Sequence, residues 1–152
     1  MPTSAWHGVR MTAHTTAPAT TRAVVAPAED SLLRLALKGD AAITALNAVA
    51  YLAAFALLDG WLGVPAALLI GAGAFLLAFA AFVGRLSTQR EMARAAVAGV
   101  IAVNALWVID SAIVLAVDAF SPTLAGQLVI AVQAVGVAGL ATLQYLGLRR
   151  AR

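Results

Sequence analysis

The basic residues of this chain avoid its long apolar stretches. All ten Lys and Arg residues lie outside four runs, 41–58, 60–84, 95–117 and 119–148. Each run is long enough to cross a hydrocarbon core of about 30 Å at about 1.5 Å per helical residue. Because 62% of the residues are hydrophobic and only 11% are charged, a soluble fold could not cover the apolar surface. The sequence therefore predicts an all-α, polytopic membrane protein.

The apolar runs predict one transmembrane domain, residues 31–150, preceded by a tail. Residues 1–30 are rich in Thr, Ala and Pro and show no apolar periodicity, so we expect a disordered tail in the cytoplasm. The pattern of residues 31–38 predicts a short amphipathic helix at the membrane interface. The same residues also fit the first turns of span one, and we favour a break at 39–40.

The distribution of charge predicts the orientation of the bundle. Short connections favour an antiparallel bundle of four spans, expected at about 41–59, 62–84, 95–117 and 124–148. Both short turns carry an Asp and no basic residue, so the positive-inside rule places both termini and the middle loop in the cytoplasm, at the inner (plasma) membrane. Five basic residues are expected to contact anionic lipid headgroups: Arg85, Arg90, Arg94, Arg149 and Arg150.

The residue types exclude several kinds of site. The chain has no Cys, which excludes disulfides, thiol catalysis and thiolate metal sites. Its two His residues, His7 and His14, lie in the tail, so no span offers an imidazole to a haem or a metal. The sequence also lacks a zinc-binding His/Glu motif, a Gly-x-Ser-x-Gly elbow and a phosphate-binding loop. We therefore expect no enzyme activity, no cofactor, no metal and no nucleic-acid partner.

Polar residues inside the spans form one predicted layer. Asp110 is the one acidic residue well inside a span, where an ionised carboxylate costs about 2.5–3.5 kcal/mol, so it is expected to face protein or water. Counting inward from the turns places Tyr51 and Gln133 at nearly the same depth, with Asn47 and Asn104 about one turn deeper. The layer is either interhelical glue, which we favour, or a proton or substrate site.

Three segments carry a family resemblance that extends over residues 31–150: residues 47–51, the sequence Asn104-Ala105-Leu106-Trp107, and residues 146–150. In these segments the chain resembles small, uncharacterised four-helix integral membrane proteins of GC-rich, actinobacterial-type bacteria. The resemblance implies no activity. In length and helix count the chain is also similar to the small multidrug resistance family. It departs from that family because span one has no embedded Glu and because the charge bias disfavours insertion in both orientations.

Two functions remain open from the sequence. The favoured one is a structural or accessory bundle that acts through a membrane-protein partner or as a homodimer, since small residues recur where helices must approach closely. The alternative is a small proton-coupled transporter, in which Asp110, with Tyr51 and Gln133, couples a proton to a substrate.

Overall fold

Four long helices make up most of the protein. The computed structural model describes residues 24–25 and 31–151. The helices are α1 Ser31–Leu62, α2 Ala66–Thr88, α3 Arg94–Ala116 and α4 Leu124–Arg150. Each is long and apolar enough to cross a membrane. The prediction of an all-α chain with four candidate membrane spans is confirmed.

The surface of the helices is apolar. Large aliphatic side chains point outward, among them Leu57, which is 78% exposed, Leu124 at 72% and Val135 at 74%. A water-soluble bundle would turn such side chains towards its core, whereas a helix surrounded by lipid tails presents them. The surface therefore favours a multi-pass membrane protein.

The helices pack unevenly around α1. α1 packs against α2 and α4, and α3 packs against α4, whereas α2 and α3 make few contacts with each other. One contact between α2 and α3 is an aromatic stack, in which the ring centroids of Phe75 and Trp107 lie 6.5 Å apart with an interplanar angle of 4°. The bundle is therefore open on the side between α2 and α3.

One end of the bundle, which we call the turn end, holds the α1–α2 and α3–α4 turns. The backbone N–H of Thr123 donates to the carbonyl oxygen of Leu62 at 2.9 Å, and its hydroxyl donates to the carbonyl oxygen of Trp61 at 2.7 Å. A Cβ at Gly126 would overlap that same Leu62 oxygen. Glycine at this position lets the first turn of α4 lie directly against the last turn of α1.

The opposite end, which we call the arginine end, is held by two guanidinium groups. Arg34 donates to three carbonyl oxygens at the end of α2, those of Ser87, Gln89 and Arg90. Arg94 donates to the carbonyl oxygens of Leu148, at 3.1 Å, and Ala151 at the end of α4. The last carbonyls of a helix have no partner within the helix and carry partial negative charge. The two arginines therefore tie the start of α1 to α2 and the start of α3 to α4.

α1 runs through residues 39–40 without interruption, so the predicted break and the separate interfacial helix are wrong. The non-helical residue inside α1 is Ala54, with φ −121° and ψ 15°. Leu33 and Leu37 are fully buried in the apolar cluster at the arginine end, and Asp40 is fully buried as well. These residues pack against the other helices, so the segment forms the first turns of α1.

A two-residue strand lies within the predicted tail. β1, Val24–Val25, pairs antiparallel with β2, Met92–Ala93, in the α2–α3 loop. The prediction of a disordered tail does not describe these two residues, and its remaining residues lie outside the described part of the chain. Met92 is fully buried, so the loop that carries β2 is anchored at the arginine end.

Candidate functional site

The open side between α2 and α3 widens into a cavity at the turn end, of about 490 Å³. We call it the turn-end cavity. Its walls are the first turns of α2 and α4, the last turns of α3 and the half of α1 that lies nearer the turn end. Most lining side chains are aliphatic, but Tyr51, Trp107 and Phe120 bring aromatic rings, and Asp110 and Ser111 bring polar groups. An apolar cavity with a few convergent polar groups is the usual form of a small-molecule site.

Asp110 lies on the wall of the turn-end cavity. It belongs to the last two turns of α3, and its side chain is exposed. Within residues 31–151 it makes neither a hydrogen bond nor an ion pair. The structure brings Asp110 and Tyr51 to one cavity without joining them by a hydrogen bond, so Asp110 stands apart from the other members of the predicted polar layer.

Three members of the predicted layer do form a hydrogen-bonded group, which we call the Tyr51 cluster. The hydroxyl of Tyr51 on α1 donates to the side-chain oxygen of Gln133 on α4 at 3.0 Å. The amide nitrogen of Gln133 donates to the side-chain oxygen of Asn47 at 3.4 Å. The cluster joins α1 to α4 and fixes where the Tyr51 ring lies on the cavity wall.

A second polar group lies closer to the arginine end and is centred on Asp40. We call Asp40, Thr44, Asn104 and Gln144 the Asp40 cluster. The hydroxyl of Thr44 donates to Asp40 Oδ1 at 3.1 Å, and the amides of Asn104 and Gln144 each donate to Oδ2 at 2.7 Å. Asn104 also donates to the Gln144 oxygen at 3.2 Å. Asp40 and Gln144 are completely buried, so neutral donors from α1, α3 and α4 replace the water that the carboxyl loses on burial.

Asp40, Thr44 and Gln144 were not predicted from the sequence as a group. Asp40 was expected to be part of a break, and Asn104 was expected at the depth of Asn47. One signal was present: Asp40, Thr44 and Asn47 have the spacing i, i+4, i+7, which places them on one face of a continuous helix. The contribution of Gln144 had no such signal, because it depends on how α4 is rotated about its axis.

A small cavity lies between the two clusters, and we call it the central cavity. Its volume is about 20 Å³, and its polar lining consists of Thr44, Asn47, Asn104 and Gln133. Thr44 and Asn104 belong to the Asp40 cluster, and Asn47 and Gln133 belong to the Tyr51 cluster. The central cavity therefore lies between two polar groups that make no direct hydrogen bond to each other.

The basic residues predicted to contact lipid headgroups divide into two sets. Arg85, Arg90, Arg149 and Arg150 are exposed at the arginine end, and the Arg149 guanidinium lies 5.7 Å from the centre of the Tyr145 ring. Arg94 is half-buried and bound to the carbonyls at the end of α4. Its guanidinium is thus engaged within the protein, which the sequence could not show.

Among the described residues, no three His, Cys, Asp or Glu side chains come together in a group that could hold a metal ion. The chain matches no family model, no curated protein and no solved structure. A function for this chain is therefore inferred from the geometry of the two cavities and the two clusters.

Proposed function

We propose that this chain is a multi-pass protein of the bacterial inner (plasma) membrane, with both termini and the α2–α3 loop in the cytoplasm. The asymmetric distribution of its ten Lys and Arg residues supports this orientation through the positive-inside rule. The exposed arginines at the arginine end would then meet anionic lipid headgroups.

The orientation is tested by labelling single cysteines, since the natural chain has none. We expect Ser121→Cys at the turn end to react with a membrane-impermeant maleimide in intact spheroplasts. Gln89→Cys at the arginine end should react only after permeabilisation. The reverse pattern would contradict the orientation.

For the activity, we propose a small, non-enzymatic, proton-coupled transporter of cationic amphiphiles, with the turn-end cavity as its substrate site. The observation that carries the proposal is the cavity itself. Its volume of about 490 Å³ falls in the range of about 300–1,000 Å³ that small-molecule sites occupy. The turn-end cavity is too short to hold a transmembrane helix of a partner. The stacked rings of Phe75 and Trp107 close the gap between α2 and α3 on the side of the cavity that faces the arginine end.

The charge of the proposed substrate follows from the cavity wall. A carboxylate at membrane depth is stabilised by a positive partner, and the described residues supply none to Asp110. A second copy in the same orientation would not supply one either, because every basic residue of the chain lies outside the four apolar runs, one of which contains Asp110. Aromatic rings such as Trp107 and Tyr51 on the same wall attract cations through their faces. A lipophilic cation satisfies both features, and exchange of that cation for a proton at Asp110 would couple transport to the proton gradient.

The accessory bundle is the second candidate function, and the Asp40 cluster favours it. Its polar side chains satisfy one another and connect three helices, which is what interhelical glue does. In that case the bundle acts through a membrane-protein partner or a homodimer, and the turn-end cavity binds no cation.

The two candidates are separated by a pair of ions of equal shape and opposite charge, tetraphenylphosphonium and tetraphenylborate. We expect the purified protein to bind the cation and not the anion. Asp110→Asn should weaken cation binding at least about tenfold, which corresponds to about 1.4 kcal/mol. It should also abolish uptake of a fluorescent quaternary ammonium dye driven by a pH gradient into proteoliposomes.

Asp118→Asn is the matched control, because Asp118 is exposed at the same end but lies outside the cavity lining. It should leave binding and uptake unchanged. Both variants should melt at the temperature of the parent protein, since neither carboxylate is buried. Absence of binding in the parent protein, or equal binding by Asp110→Asn, would refute the transporter and leave the accessory bundle.

A further inference from the structure

We infer that an ordered water molecule occupies the central cavity and joins the Tyr51 cluster and the Asp40 cluster into one hydrogen-bonded column. The inference does not rest on the proposed transport activity. A buried water needs about 10–15 Å³ of volume measured with a water-sized probe, and two to four polar partners. The central cavity has about 20 Å³ by this measure, which is room for one water molecule.

The polar groups around the central cavity have hydrogen-bonding capacity to spare. Asn104 donates through its side-chain nitrogen to Asp40 and to Gln144, while its side-chain oxygen accepts no hydrogen bond within residues 31–151. The hydroxyl of Thr44 donates to Asp40 and keeps its oxygen available as an acceptor. A water molecule can donate to both of these oxygens.

The other side of the central cavity supplies a donor. The side-chain oxygen of Asn47 accepts from Gln133, and its side-chain nitrogen has no acceptor in the described part of the chain. That nitrogen can donate to the water oxygen. One water would then make about three hydrogen bonds, the typical number for a buried water molecule.

This hydrogen-bonded column connects the wall of the turn-end cavity to the buried carboxyl of Asp40. It runs from Tyr51 on the cavity wall through Gln133 and Asn47 to the water, and from there through Thr44 to Asp40. The water is therefore a positioning element, because it links the orientation of the Tyr51 ring to the buried cluster that sets the register of α1, α3 and α4.

The direct test is a high-resolution crystal structure of the full chain grown from a lipidic mesophase. We expect a density peak in the central cavity within hydrogen-bond distance of Asn104 Oδ1 and of at least one further side chain among Thr44, Asn47 and Gln133. A central cavity without density, or a peak with a single polar neighbour, would overturn the inference.

A second test uses the change in Tm when the central cavity is filled, because filling a cavity that holds water and filling an empty one change the Tm in opposite directions. Val137 lines the central cavity, and Val137→Ile adds one methyl group that would displace the water and leave polar groups unsatisfied. We expect a lower Tm, whereas filling a dry cavity would raise it. Val135→Ile, at a side chain that is 74% exposed, is the control and should leave the Tm unchanged.

Steric overpacking would also lower the Tm, and a double-mutant cycle separates the two causes. Thr44→Val removes one partner of the water at nearly constant volume. If water displacement is the cause, Val137→Ile should lower the Tm less in the Thr44→Val background than in the parent protein. An equal drop in both backgrounds, or a rise in the parent, would overturn the inference.

Discussion

Gln144→Leu tests whether the Asp40 cluster holds the bundle together. The substitution removes the donor that lies 2.7 Å from Asp40 Oδ2 and the acceptor that lies 3.2 Å from Asn104 Nδ2. A hydrogen bond between helices in a membrane contributes about 0.6–2 kcal/mol. Leaving one N–H of Asn104 buried without an acceptor costs about 1–3 kcal/mol. We therefore expect the free energy of unfolding to fall by about 2–4 kcal/mol, although leucine is the more apolar side chain.

Unfolding in mixed micelles, titrated with SDS and followed by circular dichroism, measures this change. Gln127→Leu is the matched control, since Gln127 is an exposed residue of the same helix whose amide donates to the Pro122 carbonyl at 3.2 Å. Its effect should stay within about 0.5 kcal/mol. The double variant with Asp40→Leu should cost less than the sum of the single variants, because both act on one network. Equal stability of the two glutamine variants, or strict additivity with Asp40→Leu, would refute the reasoning.

Three further variants test the contacts that shape the bundle. Gly126→Ala should lower the Tm because its methyl group would overlap a carbonyl oxygen at the end of α1, whereas Gly136→Ala, where a Cβ meets nothing within 4 Å, should not. Arg94→Gln should destabilise the protein by about 0.5–2 kcal/mol in the same SDS titration, by releasing the carbonyls at the end of α4, and Arg85→Gln, at an exposed residue, should have no measurable effect. Tyr51→Phe should lower the free energy of unfolding by about 0.6–1.7 kcal/mol, since it removes one interhelical hydrogen bond; an unchanged midpoint would contradict that contact.

The four helices of membrane-spanning length and the relative depths of several polar residues were predictable. Hydropathy and length identify four spans because every segment of this kind must satisfy its backbone hydrogen bonds as a helix. The rise of a helix is constant, so counting from the turns brought Tyr51 and Gln133 to one level, where the structure joins them. Counting along one helix does not reveal its rotation, so it could not show that Asp110, which lines the turn-end cavity together with Tyr51, makes no hydrogen bond to Tyr51 or Gln133.

The residues around Asp40 show why the remaining features could not be predicted. The sequence Lys38-Gly39-Asp40 is typical of the end of a helix. A buried carboxyl is stable there because Thr44 of the same helix and the amides of Asn104 and Gln144 donate hydrogen bonds to it. The two amides are more than sixty positions away in the chain. The partner of Arg94 could not be predicted either. A cation near a helix end satisfies the positive-inside rule whether it contacts lipid or the carbonyls of another helix.

The sequence by itself determined that the chain forms apolar helices of membrane-spanning length and that its Lys and Arg residues lie outside the apolar runs, because both properties belong to single segments. Only the tertiary structure decided which polar side chains share a cluster, which arginines are bound by helix ends and where α2 and α3 separate to leave a cavity. These features depend on the rotation and contacts of neighbouring helices, which follow from close packing, such as that of Gly126 against the carbonyl oxygen of Leu62, and not from hydropathy.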